Sequence, residues 1–328
     1  MPNCCICYTT DAGYLFPTFV SAIQARLHTP PDIADVIVFS INAPAELDNI
    51  FAYVSAVESI RFFSIPSRQV EGASAMLARL FLDRIVPTEY DQILYIDGDT
   101  QIAGMLAPLL QAEVLPDQFC AVSDPMIFSL RAGRQHGQRL SHYFTSLGLD
   151  SAEQSNYFNS GVLRINRIGW DKIGLAAWTL FQKLHGHTHY PDQDALNLVA
   201  INQRIPISLA WNFPVFLRNA GLEHEISPRI VHYMGSPKPW HGQFKPWNLA
   251  EYETYLQAAR QHPALTPFLT HIPWHRKLKY QIQQRYKQAQ ERANWGNERR
   301  RQEILHYERC IRKNFPSPAH PALLSGAQ

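Results

Sequence analysis

The chain has 328 residues, of which 46% are hydrophobic and 12% aromatic, and its formal net charge is +2. These proportions are typical of a folded globular protein and exclude a disordered chain, and the length suffices for one large α/β domain with an appendage or for two domains. No stretch of 18 apolar residues occurs, so we predict no membrane-spanning helix.

The N-terminus lacks a basic segment followed by an apolar core, so the sequence predicts no secretory signal and a cytoplasmic protein. The five cysteines are an odd number without paired spacing, which fits a reducing compartment. Cys4, Cys5 and Cys7 lie in a short apolar run, and we interpret them as buried apolar side chains rather than metal ligands.

Strand-like and helix-like segments alternate along most of the chain. The predicted strands are Cys4–Tyr8, Val36–Ile41, Arg61–Ile65, Gln92–Ile96, Cys120–Asp124, Ser160–Asn166 and Ile230–Tyr233. The predicted helices are Tyr14–Leu27, Pro44–Ser59, Ser74–Ile85, Leu140–Leu147, Ile168–Leu184 and Gln193–Ala200, while Pro206–Pro214 reads as irregular or extended. This alternation predicts a mostly parallel sheet covered by helices on both faces, with ligands bound beyond the carboxyl ends of the strands.

The most informative motif is Asp97-Gly98-Asp99, which directly follows the predicted strand Gln92–Ile96. Side chains two residues apart on a strand point the same way, so the two carboxylates can converge beyond the strand's end. Converging carboxylates repel each other unless a cation lies between them, and a divalent cation that also binds a diphosphate is the natural occupant. The alternative is an ordinary Asp-Gly turn.

The segment His232–Trp240 complements this acidic pair. His232 can complete a metal site, and mixed carboxylate–imidazole ligation suits Mn²⁺ better than Ca²⁺, with Mg²⁺ as a further candidate. Gly235 lets backbone N–H groups approach a phosphate, and Lys238 offers a positive charge to a leaving diphosphate. A lone histidine is more often structural, but its combination with glycine and lysine favours a site for a nucleoside diphosphate.

Two other segments bear on the class of ligand. Thr9–Gly13 follows the first strand but does not match the Gly-rich dinucleotide or P-loop patterns, which argues against a dehydrogenase and a P-loop NTPase. His185–His189 resembles a metal-binding tract, although a polar loop between two helices is the interpretation that we favour.

Four blocks of the chain, taken in order, resemble glycosyltransferase family 8. This family comprises retaining enzymes with a GT-A fold, among them bacterial lipopolysaccharide α-galactosyl- and α-glucosyltransferases and glycogenin. The blocks are Thr9–Tyr14, Ala78–Leu80 with Ile93–Asp99, Tyr157–Leu163 with Pro191–Asp194, and His232–Trp240. The resemblance implies an α/β fold of GT-A type, with a Rossmann-like mixed, mostly parallel sheet and flanking helices, followed here by a basic helical tail.

The resemblance also implies roles for the matched residues at the nucleotide end. Asp97, Asp99 and His232 would hold Mn²⁺ between the phosphates of UDP. Asp11 would hydrogen-bond to the uracil edge and Tyr14 would stack on the base. The complete predicted nucleotide-sugar-binding set is Thr9, Asp11, Tyr14, Arg79, Asp97, Gly98, Asp99, Asp124, Asn159, Ser160, Asp192, Gln193, His232, Gly235 and Lys238. Gly13 stands where the family often has asparagine, so one nucleotide contact would be absent or made by the backbone.

At the sugar end, the resemblance implies that Asn159 and Ser160 line the donor pocket. Asp124 and Asp192 would bind sugar hydroxyls, and Gln193 would lie near the anomeric carbon. Asp192 alternatively caps the helix that follows it. The predicted catalytic residues are Gln193, Asp192 and Lys238. An amide is a poor nucleophile, so we expect same-face attack, with the departing phosphate oxygen helping to deprotonate the acceptor, rather than a glycosyl-Gln193 intermediate.

The leading functional hypothesis is a Mn²⁺-dependent retaining transferase that moves galactose or glucose from a UDP-sugar to a lipopolysaccharide or lipooligosaccharide acceptor. The alternatives are a family member that acts on a soluble or self acceptor, as glycogenin does, and a sugar-nucleotide-binding protein without transferase activity. The sequence leaves open the choice of donor sugar, the acceptor, the linkage and the oligomeric state.

The C-terminal part has its own character. Residues 271–315 hold twelve basic and four acidic residues, whereas the rest of the chain has a balance of −6. We predict a catalytic domain at residues 1–270, a basic helical tail at 271–315 and a disordered end at 316–328. An apolar stripe at helical spacing runs along the tail through Trp274, Leu278, Ile282, Tyr286 and Ala289. An anionic membrane surface is the favoured partner, ahead of packing on the main domain, and nucleic acid is the least favoured.

Overall fold

The computed structural model describes residues 2–130, 135–184, 188–244, 249–270 and 272–314. Its strands are β1 Cys4–Thr10, β2 Asp35–Ile41, β3 Arg61–Ile65, β4 Gln92–Ile96, β5 Thr100–Ile102, β6 Phe119–Ser123, β7 Phe158–Asn166, β8 Arg204–Ile207, β9 Phe213–Pro214 and β10 Ile230–His232. Its α-helices are α1 Leu15–Leu27, α2 Ala45–Val57, α3 Leu82–Ile85, α4 Ala107–Leu110, α5 Met126–Leu130, α6 Gln135–Ser146, α7 Ser151–Asn156, α8 Arg167–Leu184, α9 Pro191–Ala200, α10 Glu223–Ile226, α11 Leu249–Gln261, α12 Trp274–Trp295 and α13 Glu298–Asn314.

Seven strands form the main sheet in the order β3-β2-β1-β4-β7-β6-β8. The pairs β3-β2, β2-β1, β1-β4 and β6-β8 are parallel, whereas β7 runs antiparallel to both of its neighbours. The prediction of a mixed, mostly parallel sheet is therefore confirmed. Because β7 runs the opposite way, its first residues lie beside the carboxyl end of β4, and Ile96 pairs with Val162.

A second sheet of three short strands, in the order β5-β10-β9, extends the site edge. β10 runs antiparallel to β5, with His232 opposite Thr100. The backbone N–H of Tyr233 donates to the carbonyl oxygen of Asp99 at 2.9 Å. This pairing brings His232, which lies far along the chain, next to the acidic motif that precedes β5.

The strand predictions agree with the structure to within a few residues, but the predicted helix Ser74–Ile85 is wrong over much of its length. It is a 3-10 turn at Leu77–Phe81 followed by the short helix α3. Side chains bind carbonyls of this segment: the indole N–H of Trp170 donates to the carbonyl oxygen of Arg79 at 2.9 Å. A Cβ on Gly174 of α8 would lie 2.0 Å from the carbonyl oxygen of Leu80, so the turn and α8 touch backbone to backbone.

The core is built from the inward faces of the sheet and the surrounding helices. Cys4, Cys5 and Cys7 are buried in β1, as predicted. Within the described ranges, no helix is long and apolar enough to cross a membrane. The predicted disordered end 316–328 lies outside the described residues.

The tail consists of α12 and α13, which contact the rest of the molecule differently. On α13, Ile304 is fully buried in the main core, and the buried Glu308 accepts a hydrogen bond from the Ser208 hydroxyl at 2.6 Å. On α12, by contrast, the apolar stripe points outward, with Ile282 61% and Tyr286 73% exposed. The tail therefore packs on the main domain through α13 and presents an apolar face of α12 to solvent. The predicted domain boundary at residue 270 stays a prediction.

Candidate active site

A cavity of about 460 Å³ opens at the carboxyl edge of the main sheet. Among the predicted site residues, it is lined by Thr9, Asp11, Tyr14, Arg79, Asp97, Gly98, Asp99, Asn159, Ser160, Asp192 and Gln193. The other four predicted residues, Asp124, His232, Gly235 and Lys238, lie outside this lining. Asp124, His232 and Lys238 each contact a lining residue directly, as described below, whereas Gly235 lies on the loop after β10.

Asp97, Asp99 and His232 bring two carboxylates and one imidazole together at the wall of the cavity. One potential ligand atom from each residue lies within 4.8 Å of the other two. Oxygen and imidazole nitrogen together suit a divalent transition metal ion. A Cβ atom on Gly161 would lie 2.6 Å from Cε1 of His232 and 2.8 Å from Oδ2 of Asp97, so this glycine keeps the space between the two side chains open. The donor set and the space fit a divalent cation.

A chain of amide side chains orients His232. The N–H of Gly161 donates to Asn159 at 2.9 Å, which identifies the accepting atom as the amide oxygen Oδ1. Because this oxygen can only accept, the atom of Asn212 that lies 2.7 Å from it must be the donor Nδ2. Asn212 therefore presents its carbonyl oxygen to Nδ1 of His232, 2.8 Å away, and Nδ1 must carry the proton. This leaves Nε2 facing Oδ1 of Asp99 at 3.0 Å. Two lone pairs cannot face each other stably, so Nε2 needs a second proton or a shared metal ion.

Asp99 lies at the centre of the positive groups of the site. Burial opposes its charge, but His232 and Lys238 outweigh burial and hold the pKa of the Asp99 carboxyl well below its usual range. Nζ of Lys238 donates to Oδ2 of Asp99 at 2.5 Å and to the carbonyl oxygen of Tyr233 at 2.6 Å. Burial raises the pKa of Asp97, with Asp99 adding to this effect and Arg79 opposing it. The two acids of the motif are therefore not equivalent.

Arg79 connects the acidic motif to the start of α9. Its guanidinium is buried, with Nη2 2.7 Å from Oδ1 of Asp97 and Nε 3.3 Å from Oδ2 of Asp192. Nη1 donates to the carbonyl oxygen of Ser160 at 2.8 Å, and the guanidinium lies 4.8 Å from the ring centroid of Tyr95. Burial disfavours this charge, yet the surrounding acids raise the pKa of Arg79 above its ordinary value. Arg79 is thus a fixed cation in the cavity wall.

A hydrogen-bonded network surrounds Gln193, in the part of the cavity where the sequence predicts that the donor sugar binds. Oε1 of Gln193 accepts from Nδ2 of Asn159 at 2.9 Å and from the N–H of Ser160 at 3.2 Å. Nε2 of Gln193 donates to Oδ2 of Asp124 at 3.1 Å, and the Ser160 hydroxyl donates to Asp192 at 3.0 Å. Burial raises the pKa of Asp124. Asp124 therefore supports Gln193 and Asn159 from behind.

The predicted capping role of Asp192 is wrong. α9 begins at Pro191, which has no N–H to cap, and Tyr190 occupies the N-cap position. The carboxylate of Asp192 instead faces Arg79 and Ser160. The carboxylate of Asp194 accepts the backbone N–H of the N-cap residue Tyr190 at 2.9 Å.

The predicted nucleotide contacts lie at the other end of the cavity. Oδ1 of Asp11 accepts the backbone N–H groups of Gly13 and Tyr14 at 2.9 and 3.1 Å, which stabilises the turn into α1. Tyr14 is 42% exposed and its ring contacts the buried Trp240 edge-on. Thr9 is more buried, and its hydroxyl donates to the carbonyl oxygen of Ala75 at 3.0 Å. An exposed aromatic ring beside a cavity suits stacking on a flat base.

Several functional residues escaped sequence reasoning. Tyr95 donates its hydroxyl proton to Asp97 at 2.7 Å, and the spacing of two residues along β4 could have indicated it. Asn212 and Gly161 gave no comparable signal of their own. His189 and Tyr190 line the cavity, whereas residues 185–187 of the histidine tract lie outside the described residues.

The comparisons with known proteins identify the family. Residues 5–248 match the model of glycosyl transferase family 8, which covers well over half of the chain. The chain belongs to glycosyl transferase family 8. It is 24% identical over 304 residues to lipopolysaccharide 1,2-glucosyltransferase of Escherichia coli K12, which covers 86% of this chain and 84% of the relative. It is also 24% identical to lipopolysaccharide 1,3-galactosyltransferase of Salmonella typhimurium, covering 79% and 78% of the two chains.

The solved structures confirm the predicted GT-A fold. The galactosyltransferase LgtC, solved with donor and acceptor sugar analogues, aligns with a TM-score of 0.60 at 23% identity. The alignment covers 83% of this chain and 98% of LgtC. Because the chain belongs to family 8, it is a glycosyltransferase. The acidic motif, β10 and α9 all lie inside the matched range. α12 and α13 lie beyond residue 248 and outside it.

Proposed function

We propose that the protein is a retaining hexosyltransferase that moves galactose or glucose from a UDP-sugar to the hydroxyl of a lipopolysaccharide-type acceptor. The observation that carries this proposal is the convergence of Asp97, Asp99 and His232 with Lys238 at one end of the cavity. The two relatives named as lipopolysaccharide glucosyl- and galactosyltransferases support the acceptor class.

The proposed chemistry follows from where charge develops. Breaking the sugar–phosphate bond leaves negative charge on the diphosphate and positive charge on the sugar. A divalent cation, Mn²⁺ by preference and otherwise Mg²⁺, bound by Asp97, Asp99 and His232 would stabilise the departing diphosphate as a Lewis acid. Lys238 adds a fixed positive charge on the same side, which is worth most where water is excluded. Asp192, which lines the cavity, is the proposed acceptor for the sugar hydroxyls, whereas Asp124 lies outside the lining and positions Gln193 and Asn159.

Gln193 bears on which route to retention of configuration the protein would use. Its amide is held by Asn159, Ser160 and Asp124, so the side chain has little freedom to attack the sugar. An amide is also a much weaker nucleophile than the carboxylate of a retaining glycosidase. We therefore propose that the acceptor hydroxyl attacks on the face that the diphosphate leaves, and that a phosphate oxygen takes the acceptor proton.

Release of UDP measures the proposed activity directly. Purified protein is incubated with UDP-galactose or UDP-glucose and a short oligosaccharide acceptor, with and without Mn²⁺. We expect release with one of the two donors, loss after chelation, and a fall of at least about 100-fold in Asp99→Asn. UDP binding without release under every condition would instead favour a sugar-nucleotide-binding protein.

The role of Gln193 has its own test. Gln193→Ala removes both polar atoms of the amide. In the same-face scheme the variant loses positioning and keeps measurable turnover with retention, and it forms no covalent product with the donor. A glycosyl adduct on Gln193, detected by mass spectrometry with a slow donor analogue, would overturn the scheme.

We further propose that the tail binds the inner face of the cytoplasmic membrane, with no role for nucleic acid. The apolar stripe of α12 supports this, because Trp274 is 77%, Leu278 50% and Ile282 61% exposed. Lys279 and Arg285 are exposed on the same helix. An exposed apolar stripe flanked by cations fits the interface of an anionic bilayer.

Sedimentation with vesicles tests the membrane proposal. The full chain should sediment with phosphatidylglycerol-containing vesicles and not with neutral phosphatidylcholine vesicles. The double variant Leu278→Glu/Ile282→Glu should lose this binding while keeping activity on a soluble acceptor. Equal sedimentation of the wild type and the double variant would remove the membrane from the proposal and favour a soluble or self acceptor.

A further inference from the structure

The inward face of α12 brings a cation to the loop that follows β10. A Cβ atom built on Gly235 would lie 3.1 Å from Nζ of Lys287. Tyr280, Gln284 and Lys287 recur at helical spacing and share one face of α12. On this face, the ring of Tyr280 packs against Phe244 at 5.2 Å, and Gln284 is buried. The packing of Tyr280 and Gln284 turns this face of α12 toward the main domain, so Lys287 on the same face points to the loop.

Within the described residues, the ammonium group of Lys287 makes no hydrogen bond to an acid and keeps donors for a ligand. In the part of the chain that the structure describes, Glu291 is its nearest acid, at 3.8 Å, and this distance is too long for a hydrogen bond. Glu291 is itself held by Nδ2 of Asn219 at 2.6 Å. By contrast, Nζ of Lys238 already donates to Asp99 and to the carbonyl oxygen of Tyr233.

Further positive charge surrounds the same loop. Burial, together with the charges of Lys238 and Arg276, lowers the pKa of His241. Arg276 lies on α12, three turns before Lys287. The helix therefore places Lys287 beside Gly235 and Arg276 near His241, while Gly235 itself has a positive φ of 82° and carries no side chain. A cation beside exposed backbone N–H groups is a favourable environment for a phosphate.

We propose that Lys287 is a phosphate-binding residue of the donor site, which contacts the diphosphate of a nucleoside diphosphate sugar beside the backbone of Gly235. This inference rests on the proposed function, because it requires that the loop after β10 binds the donor. It extends the site to a helix that lies outside the residues matched by the family model. Docking of α12 on the main domain then becomes a condition for full nucleotide affinity.

The test compares the binding of UDP and of uridine by titration calorimetry in the presence of Mn²⁺. Lys287→Gln removes the charge and keeps most of the side-chain length. We expect UDP affinity to fall about tenfold and uridine affinity to stay unchanged, since only UDP carries phosphates. The dependence of UDP binding on salt should also become weaker. Lys287→Arg should restore most of the affinity.

Lys172→Gln on α8 is the matched control, because it removes an exposed lysine far along the chain from the loop. It should bind UDP as the wild type does. Lys287→Gln with wild-type UDP affinity, or with UDP and uridine weakened equally, would overturn the inference while leaving the proposed function intact. Failure of the wild type itself to bind UDP would instead remove the proposed function.

Discussion

Asn212 decides the chemical state of the candidate metal ligand His232. Its own orientation is dictated by Asn159, whose Oδ1 already accepts the N–H of Gly161. Three consecutive hydrogen bonds thus leave Nε2 of His232 as the atom available to a cation. Partners behind a ligand fix its tautomer and direction, and they commonly matter for metal affinity nearly as much as the ligand itself.

Asn212→Ala should therefore weaken Mn²⁺ binding about 10- to 100-fold without removing any ligand. The electron paramagnetic resonance signal of free Mn²⁺ measures this affinity in a titration. Asn202→Ala is the control, since Asn202 is exposed and lies outside the network. An Asn212→Ala protein that binds Mn²⁺ as the wild type does would contradict the assigned orientation.

Gly161 matters because it has no side chain and so leaves space between His232 and Asp97. Gly161→Ala would place a methyl group within 3 Å of both His232 and Asp97, so we expect loss of Mn²⁺ binding and of activity. Gly148→Ala provides a comparison, because Gly148 has a positive φ of 95° but no atom within 4 Å of a new Cβ. That variant should lose about 1 kcal/mol of stability and keep metal affinity. Equal metal affinity in the two variants would contradict the steric argument.

The sequence indicates the ligands better than the residues that orient them. Asp97 and Asp99 stand out because two acids end an apolar strand, and the same period of two could have added Tyr95. Asn212 lies 53 residues after Asn159 and 20 residues before His232, so no local pattern relates it to either. Its role depends on how β7, β9 and β10 come together, which only the folded chain defines.

At the scale of elements, strands were easier to predict than the segments between them. Buried strands such as β1 and β4 are mostly runs of apolar residues, and the sequence predicts both. The three-stranded sheet was predicted only at β10, because β5 and β9 have three and two residues and too little length for a pattern. The apolar spacing of Leu77–Phe81 predicts a helix, but the segment is a 3-10 turn in which the carbonyl oxygen of Arg79 accepts the indole N–H of Trp170.

The two tail helices should respond differently to truncation of an apolar side chain. Ile304→Ala on α13 should reduce the free energy of unfolding by about 2–4 kcal/mol, since Ile304 is fully buried. Leu278→Ala on α12 should change it by about 0.5 kcal/mol or less, because half of that side chain is exposed. Urea denaturation followed by circular dichroism measures both values. Similar losses in the two variants would mean that α12 is buried in solution.

At the scale of the whole molecule, the cavity lies where β1, β4, β7 and α9 meet, so a ligand there is held by distant parts of the chain. Strand alternation predicted this edge correctly, since parallel strands share a carboxyl end. The approach of α12 to the loop at Gly235 was not predictable, because its inward residues carry no motif.

A ligand that joins these parts should stabilise the whole fold. UDP with Mn²⁺ at about 100 times its dissociation constant should add about 2.7 kcal/mol and raise the melting temperature by several degrees. UDP with a chelator should have a smaller effect. Differential scanning fluorimetry at a series of UDP concentrations checks both expectations, and equal shifts with and without Mn²⁺ would argue against a shared metal–diphosphate site.

The two opposite faces of α12 also determine how far a bound bilayer would lie from the loop at Gly235. One face touches the loop at Gly235, and the opposite face carries the exposed stripe from Trp274 to Tyr286. A helix with its side chains is about 10–12 Å thick, so a bilayer that touches the stripe would lie roughly one helix diameter from that loop. The helix would then act as a spacer that selects acceptors by reach. Sugars close to the lipid anchor would enter the cavity, and the outer residues of a long glycan would pass beyond it.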